Sequence, residues 1–302
     1  MIHRLLNDGR YSPVAALRRQ SVDLPGGVHC VQVGDLSANT SWSEALVGVK
    51  VVIHAAARAH VLNETADDPL VAFRRVNVSG TLALARQAAQ AGVERFIFIS
   101  SIGVNGNQSS RPFTADDLPS PNEPYAVSKH EAELGLRQLA AETSMEIVII
   151  RPPLVYGPKA PGNFGRLIKT VSKGVPLPLG AIHNRRSLVA LDNLVDLIVT
   201  CIDHPAAANQ TFLVSDGEDL STTELLRRMG VALGKPARLL PVPSWLLEAG
   251  AAMLGKRALS RRLCSSLQVD ISKTRELLGW APPVSVDAAL RKTATHFLEH
   301  HT

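Results

Sequence analysis

Residues 76–101 read VNVSGTLALARQAAQAGVERFIFISS. The first part carries its apolar residues at helical spacing and closes at Gly92, a residue suited to a left-handed helix stop. The last part, RFIFISS, is a short apolar run ending in Ser100 and Ser101, the signature of a buried strand. A helix feeding a strand that is apolar on both faces is the repeating unit of a parallel sheet covered on both sides.

The same alternation extends in both directions. Upstream lie VHCVQVGDL (28–36), a strand ending at Asp35, and VVIHAAA (51–57), a buried strand ending in small residues. Downstream, SKHEAELGLRQLAAET (128–143) has helical periodicity and MEIVIIRP (145–152) is a strand stopped by prolines. The expected fold is therefore α/β, a Rossmann-like doubly wound parallel sheet over residues 1–152. TFLVSD, with its strand near 211–215, returns one more strand to that sheet. Residues 153–302 form a smaller C-terminal substrate domain, rich in Pro and Gly at first and helical from about Ser221. The opening MIHRLLNDG reads as the last turn of a helix stopped at Gly9, and SPVAALRR as a short strand.

Composition narrows the classes. With 45% hydrophobic and 20% charged residues, the 302-residue chain has the balance of an ordinary globular protein. Its +5 charge lies in short arginine clusters, Arg18-Arg19, Arg185-Arg186 and Arg261-Arg262, which suit discrete phosphates better than nucleic acid. Cys30, Cys201 and Cys264 are widely spaced with no C-x-x-C, so reduced thiols in the cytoplasm are expected. The histidines show no metal-ligand spacing, and no metal is expected; His300-His301 read as a solvated tail. No apolar run is long enough to span a bilayer. WLLEAGAAMLGKRALSRRL (245–263) could be a membrane-surface helix, but packing on the core with a basic outer face is the favoured reading.

The candidate chemistry starts at PYAVSK (124–129). Tyr125 and Lys129 stand four residues apart at a helix start, so both project from one face. An ammonium beside a phenol favours the phenolate and lowers its pKa, giving a group that can exchange a proton with an alcohol or carbonyl. Ser101 ends a strand of the sheet, and strand ends form the ligand crevice in this architecture. Its hydroxyl could bind the oxygen that Tyr125 protonates, or merely satisfy the strand-end backbone.

Taken in order, these motifs resemble the extended short-chain dehydrogenase/reductase family, of the NAD-dependent epimerase/dehydratase type, in particular its nucleotide-sugar 4-epimerase and 4-ketoreductase members. GDL (34–36) resembles the family's adenine-contacting strand end, with Asp35 and Leu36. IHAAA (53–57) resembles the turn under the cofactor, with Ala55, Ala56 and Ala57. VNVSGT (76–81) carries Asn77 as a structural or cofactor-side residue. FISSIGVNG (98–106) places the catalytic serine at Ser101, and YAVSK carries Tyr125 and Lys129, which also hold the nicotinamide ribose. RPPLVYGP (151–158), with Pro152, resembles the segment beside the nicotinamide. RRSLVALDNLVD (185–196) places Arg186 on a sugar nucleotide's diphosphate, and Asn163 in PGNFGR is a second substrate contact or an ordinary turn residue.

The resemblance implies hydride transfer between a nicotinamide cofactor and sugar C4. Three departures shape the expectation. The family's first strand and glycine-rich turn have no counterpart, so this polypeptide is expected to bind dinucleotide weakly and to fold poorly. Arg18 and Arg19 stand where an acidic residue would select NAD, so NADP is favoured over NAD. Leu154 replaces an asparagine common in epimerases, which leans toward a 4-keto-6-deoxy-sugar reductase in envelope polysaccharide precursor synthesis, a setting also implied by VDISKTRELLGWAPPVSVDAAL (269–290). The alternatives are a UDP-sugar (glucose or N-acetylglucosamine) 4-epimerase and a non-catalytic dinucleotide-binding protein or inactive truncated form. The substrate is expected to be UDP-linked and the assembly a homodimer.

Overall fold

The computed structural model describes residues 1–19, 24–59, 68–160, 163–253, 255, 260 and 263–301, with residues 163 and 301 described in backbone only. The chain opens with helix α1 (Ile2–Asp8), followed by strands β1 (Val14–Leu17), β2 (His29–Gln32) and β3 (Val51–His54). Helix α2 (Pro69–Phe73) continues through a π-helical turn, Arg74–Gly80, into α3 (Thr81–Gln90). Next come β4 (Arg95–Ile99), α4 (Pro124–Glu142), β5 (Glu146–Arg151) and β6 (Leu154–Tyr156). The second half holds α5 (Asn163–Ser172), β7 (Arg186–Ala190), α6 (Leu191–Asp203), β8 (Thr211–Leu213) and β9 (Asp219–Leu220). Among the described residues it ends with helices α7 (Thr222–Ala232), α8 (Ser244–Met253), α9 (Ser272–Leu278) and α10 (Val286–His301). Gly9 and Gly92 sit at φ 73° and 78° and close α1 and α3, the stops read from the sequence.

The main sheet has the order β3-β4-β5-β8, every pair parallel. Alternate side chains divide between two helical layers, as the pleat requires. Ile97, Val148, Ile150 and Phe212 pack with Leu197, Ile198 and Cys201 of α6 on one face. Phe96, Phe98, Ile147 and Ile149 pack with Leu84 and Ala88 of α3 and Leu136 of α4 on the other. A second sheet, β6-β7-β9, mixes a parallel and an antiparallel pair. Tyr156 and Leu188 of that sheet share a core with Phe164 of α5, Leu226 of α7 and Leu290 of α10.

The parallel sheet of Rossmann type is present as expected, with an interruption that matches the lack of a counterpart to the family's first strand: β1 and β2 form a separate parallel pair, and neither is bonded to β3. A ladder needs its neighbour within about 5 Å, and no described strand bridges β1 to β3. The consequence shows in burial, since β3 is only half-buried at Val51, Val52 and Ile53 while β4 and β5 are buried almost throughout. The two parts still share their helical layers. Leu5 of α1 joins the α6 side and Val31 of β2 joins the α3 side.

The core-packing reading of 245–263 holds only in part: Leu247 and Leu263 pack on the core of the second sheet, but most of helix α8 does not. None of its residues is buried, and Trp245 and Met253 are 66% and 85% exposed. The stretch also runs beyond α8 into Arg261-Arg262, outside the described residues.

Candidate active site

The site is built where β4 ends. Ser100 N–H donates to Ile150 O of the neighbouring strand at 2.7 Å, so the ladder runs one residue past β4. Ser101 then stays extended and its Oγ accepts Gly103 N–H at 3.1 Å, capping the short 3₁₀ turn Ile102–Val104. Both readings of Ser101 therefore meet in one atom. A lone pair is used locally, and the O–H is left to donate.

Helix α4 brings Tyr125 to this turn. Pro124 occupies its first position, where a missing N–H is harmless. A Cβ placed on Gly103 would lie 3.2 Å from Ala126 Cβ and 3.4 Å from Ser101 Oγ, so the Ser101 turn and the first turn of α4 are in contact. The Tyr125 ring meets Phe73 edge-on at 5.9 Å. Its hydroxyl makes no hydrogen bond with the described residues, and burial pushes its pKa up to about 12.

Lys129 follows one turn later and is buried. Its Nζ donates to Ile99 O at 2.7 Å and lies 4.3 Å from the centre of the Phe98 ring. Burial lowers its pKa to about 7, opposed by the nearby Glu133 carboxylate. The expectation that this ammonium lowers the phenol's pKa is therefore corrected for this structure: desolvation acts on both groups, raising the acid and lowering the base. His54 completes the buried cluster, bonded to Thr81 Oγ1 at 2.9 Å. Burial, with Lys129 adding to it, takes its pKa down to about 3, so the ring is neutral.

Asn77 lies in the π-helical turn and is structural here. Its Oδ1 accepts Arg58 N–H at 2.8 Å, and its Nδ2 donates to Arg58 O and Ser128 Oγ. It thereby ties the segment after Ala55, Ala56 and Ala57 to the first turns of α4. Ala55 and Ala56 are exposed at the end of β3, and Pro152 is buried, accepting Ile102 N–H at 3.0 Å. Leu36 packs so closely on the helix carrying Asn77 that a Cβ at Gly80 would lie 2.7 Å from its Cγ.

Two cofactor candidates pair with each other at the surface. Arg18 and Asp35 form an exposed ion pair, so Arg18 does not wait as a bare cation for a 2′-phosphate; Arg19 is exposed beside it. Arg186 opens β7 in the second sheet and donates to Ser265 O at 3.0 Å. Asn163 opens α5 instead of lying in a loop.

Reading the sequence missed the polar layer beneath the site. Glu133, one turn beyond Lys129, bonds Arg151 through Nη2 at 2.5 Å and Nε at 3.0 Å and accepts Ser100 Oγ. Arg151 also donates to Asn105 Oδ1 at 3.0 Å. The signal was present: Tyr125, Lys129 and Glu133 repeat every four residues on one helix face. Elsewhere, His296, Glu299 and His300 on α10 bring three ligand-type atoms within 4.8 Å of one another, a grouping that the linear spacing of the histidines does not announce. The described cysteines are free thiols, and no helix among the described residues is long and apolar enough to cross a membrane.

Residues 1–215 match the model of the NAD dependent epimerase/dehydratase family. A UDP-glucose 4-epimerase of Vibrio cholerae is 51% identical over 271 residues, covering 89% of this chain and 83% of that protein. An N-acetyl-alpha-D-glucosaminyl-diphospho-ditrans,octacis-undecaprenol 4-epimerase of Escherichia coli O157:H7 is 28% identical over 288 residues, 89% of this chain and 84% of that protein. Among solved structures, a UDP-glucuronic acid 4-epimerase from Bacillus cereus in complex with NAD superposes with a TM-score of 0.81. It covers 100% of this chain and 95% of its own at 22% identity, which is a likeness of fold.

Proposed function

The chain belongs to the NAD-dependent epimerase/dehydratase family, and from that premise we propose that it is a UDP-sugar 4-epimerase. The observation that carries this reading is the 51% identity to a UDP-glucose 4-epimerase along most of the chain. It supports the epimerase over the 4-keto-sugar reductase favoured from Leu154 alone.

The residues fit a nicotinamide dinucleotide at its two ends. Asp35 and Leu36 suit the adenosine end, and Tyr125, Lys129 and Pro152 the nicotinamide end, with Ala55, Ala56 and Ala57 between them. The described residues offer no glycine-rich strand-to-helix turn for the pyrophosphate, and β1 stands apart from β3 there. With Arg18 held by Asp35, the case for NADP passes to Arg19 alone and NAD becomes the better candidate.

When bound, the nicotinamide supplies the hydride acceptor and donor at sugar C4. Tyr125 exchanges the proton of the C4 oxygen, and Ser101 donates its O–H to the same oxygen, its acceptor side being taken by Gly103. Lys129, one turn below, supplies positive charge when protonated. Arg186 anchors the diphosphate with a planar guanidinium, Asn163 is a second contact, and residues 153–302 mainly form the sugar-nucleotide domain. The free thiols suit the cytoplasm, and a homodimer is the assembly proposed.

The test is conversion of UDP-galactose to UDP-glucose with NAD in catalytic amounts. Interconversion without net NADH formation is expected. Consumption of one NAD(P)H per turnover with a UDP-4-keto-6-deoxy-sugar, and no interconversion, would establish the reductase instead.

A further inference from the structure

We propose that helix α8 seats this protein on an anionic membrane surface. Its sequence, SWLLEAGAAM, is apolar around the whole circumference except at Ser244 and Glu248. A helix apolar all round is normally buried, in a core or in lipid. Here no residue of α8 is buried. Leu247 packs against the core of the second sheet and Gly250, Ala251 and Ala252 are half-buried, while Trp245 (66%), Leu246 (45%) and Met253 (85%) face outward, joined by Leu240 (52%) just ahead of the helix.

The helix is presented firmly. The strap leading into it is laddered to residues 177–181: Leu177 N–H donates to Arg238 O, Leu240 N–H to Leu177 O and Gly180 N–H to Leu240 O, each at 2.8 Å. At 10 residues, α8 is about 15 Å long, half the hydrocarbon thickness of a bilayer, so it suits lying along the surface. An exposed Trp on a short apolar helix suits the headgroup level of a membrane–water interface.

Charge selects the occupant. Residues 235–262 carry six basic side chains, Lys235, Arg238, Lys256, Arg257, Arg261 and Arg262, against one acidic, Glu248. Lys235 and Arg238 are described and exposed; the other four are taken from the sequence alone. Across the whole chain the ratio is 32 to 27, so the excess is local. Apolar side chains flanked by concentrated positive charge match anionic headgroups over an acyl layer.

The experiment adds the full chain to vesicles of phosphatidylcholine alone and of equimolar phosphatidylcholine and phosphatidylglycerol, read by flotation and tryptophan emission. Trp42 and Trp280 are buried, at 7% and 5% exposure, so a blue shift on vesicle addition reports Trp245. Binding to the anionic vesicles with a blue shift, weakened by high salt, is expected. Trp245→Ser with Leu246→Ser should lower the partition constant by on the order of tenfold with an unchanged melting temperature, and Glu248→Lys should raise it. Absence of binding, or binding indifferent to these substitutions, overturns the proposal. A self-associated species that the Trp245/Leu246 variant dissociates, without vesicle binding, assigns the face to a second copy and overturns it equally.

Discussion

Lys129 buries its ammonium against the carbonyl oxygen of Ile99, 2.7 Å away, at the end of the strand that carries Ser101. The lysine is thus tied to the sheet, one helical turn below Tyr125, and its surroundings make the charged form costly. With a folded pKa of about 7 against an ordinary value of 10.5, the unfolded chain holds a proton that the folded chain lacks between those limits. That term raises stability as pH rises from about 7 to 10.5. Replacing Lys129 by Met removes it. The stability of the native protein relative to Lys129→Met should therefore increase steadily from pH 7 to pH 10 in urea unfolding. A pH-independent difference would contradict the buried, partly neutral lysine.

Tyr125→Phe separates chemistry from folding. The hydroxyl has no hydrogen bond with the described residues, and the ring keeps its edge contact with Phe73. The turnover number should fall by about 100- to 10,000-fold while stability changes by less than about 0.5 kcal/mol. Steady-state kinetics and urea melts check the two halves independently.

Glu133 and Arg151 are 1% and 3% exposed as side chains and pair at 2.5 Å. Glu133→Gln leaves the Arg151 guanidinium buried without its counter-charge, a loss of about 3–5 kcal/mol. Glu133→Leu combined with Arg151→Met should cost clearly less than the sum of the two single changes. Additive losses in a double-mutant cycle would show that the pair does not act as a unit.

Gly80→Ala tests the approach of Leu36 to the π-helical turn. The new Cβ would sit 2.7 Å from Leu36 Cγ and 3.2 Å from the Leu36 carbonyl carbon. Overpacking of this kind costs about 1–3 kcal/mol. Adding Leu36→Ala should recover only part of the loss, because the backbone contact remains. Thermal unfolding of the three variants measures it.

The βα alternation was legible because periodicity is a local property. RFIFI and EIVIIR announce strands buried on both faces, and Gly9 and Gly92 mark the stops of the helices before β1 and β4. The contact between the Ser101 turn and the start of α4, which carries Tyr125 and then Lys129, was legible for a related reason. Side chains at the end of a parallel strand and the start of a helix share an edge of the sheet once the topology is known. The Arg18 pairing is not legible locally, because its partner Asp35 comes from the segment after β2, 17 positions on. Pro161 and Gly162 give the stretch before Asn163 the look of a turn, yet Asn163 opens α5.

Element order, the two-faced burial of the central strands and the chain positions of Ser101, Tyr125 and Lys129 are encoded in neighbouring residues. The protonation of Tyr125, Lys129 and His54 is a property of the fold, since the shift of an ionisable group depends on which distant segments exclude its water. The tertiary structure also decides that β1 and β2 stand apart from β3 and that α8 faces outward. Both are questions of which surfaces find a partner, and that depends on every other element in the fold.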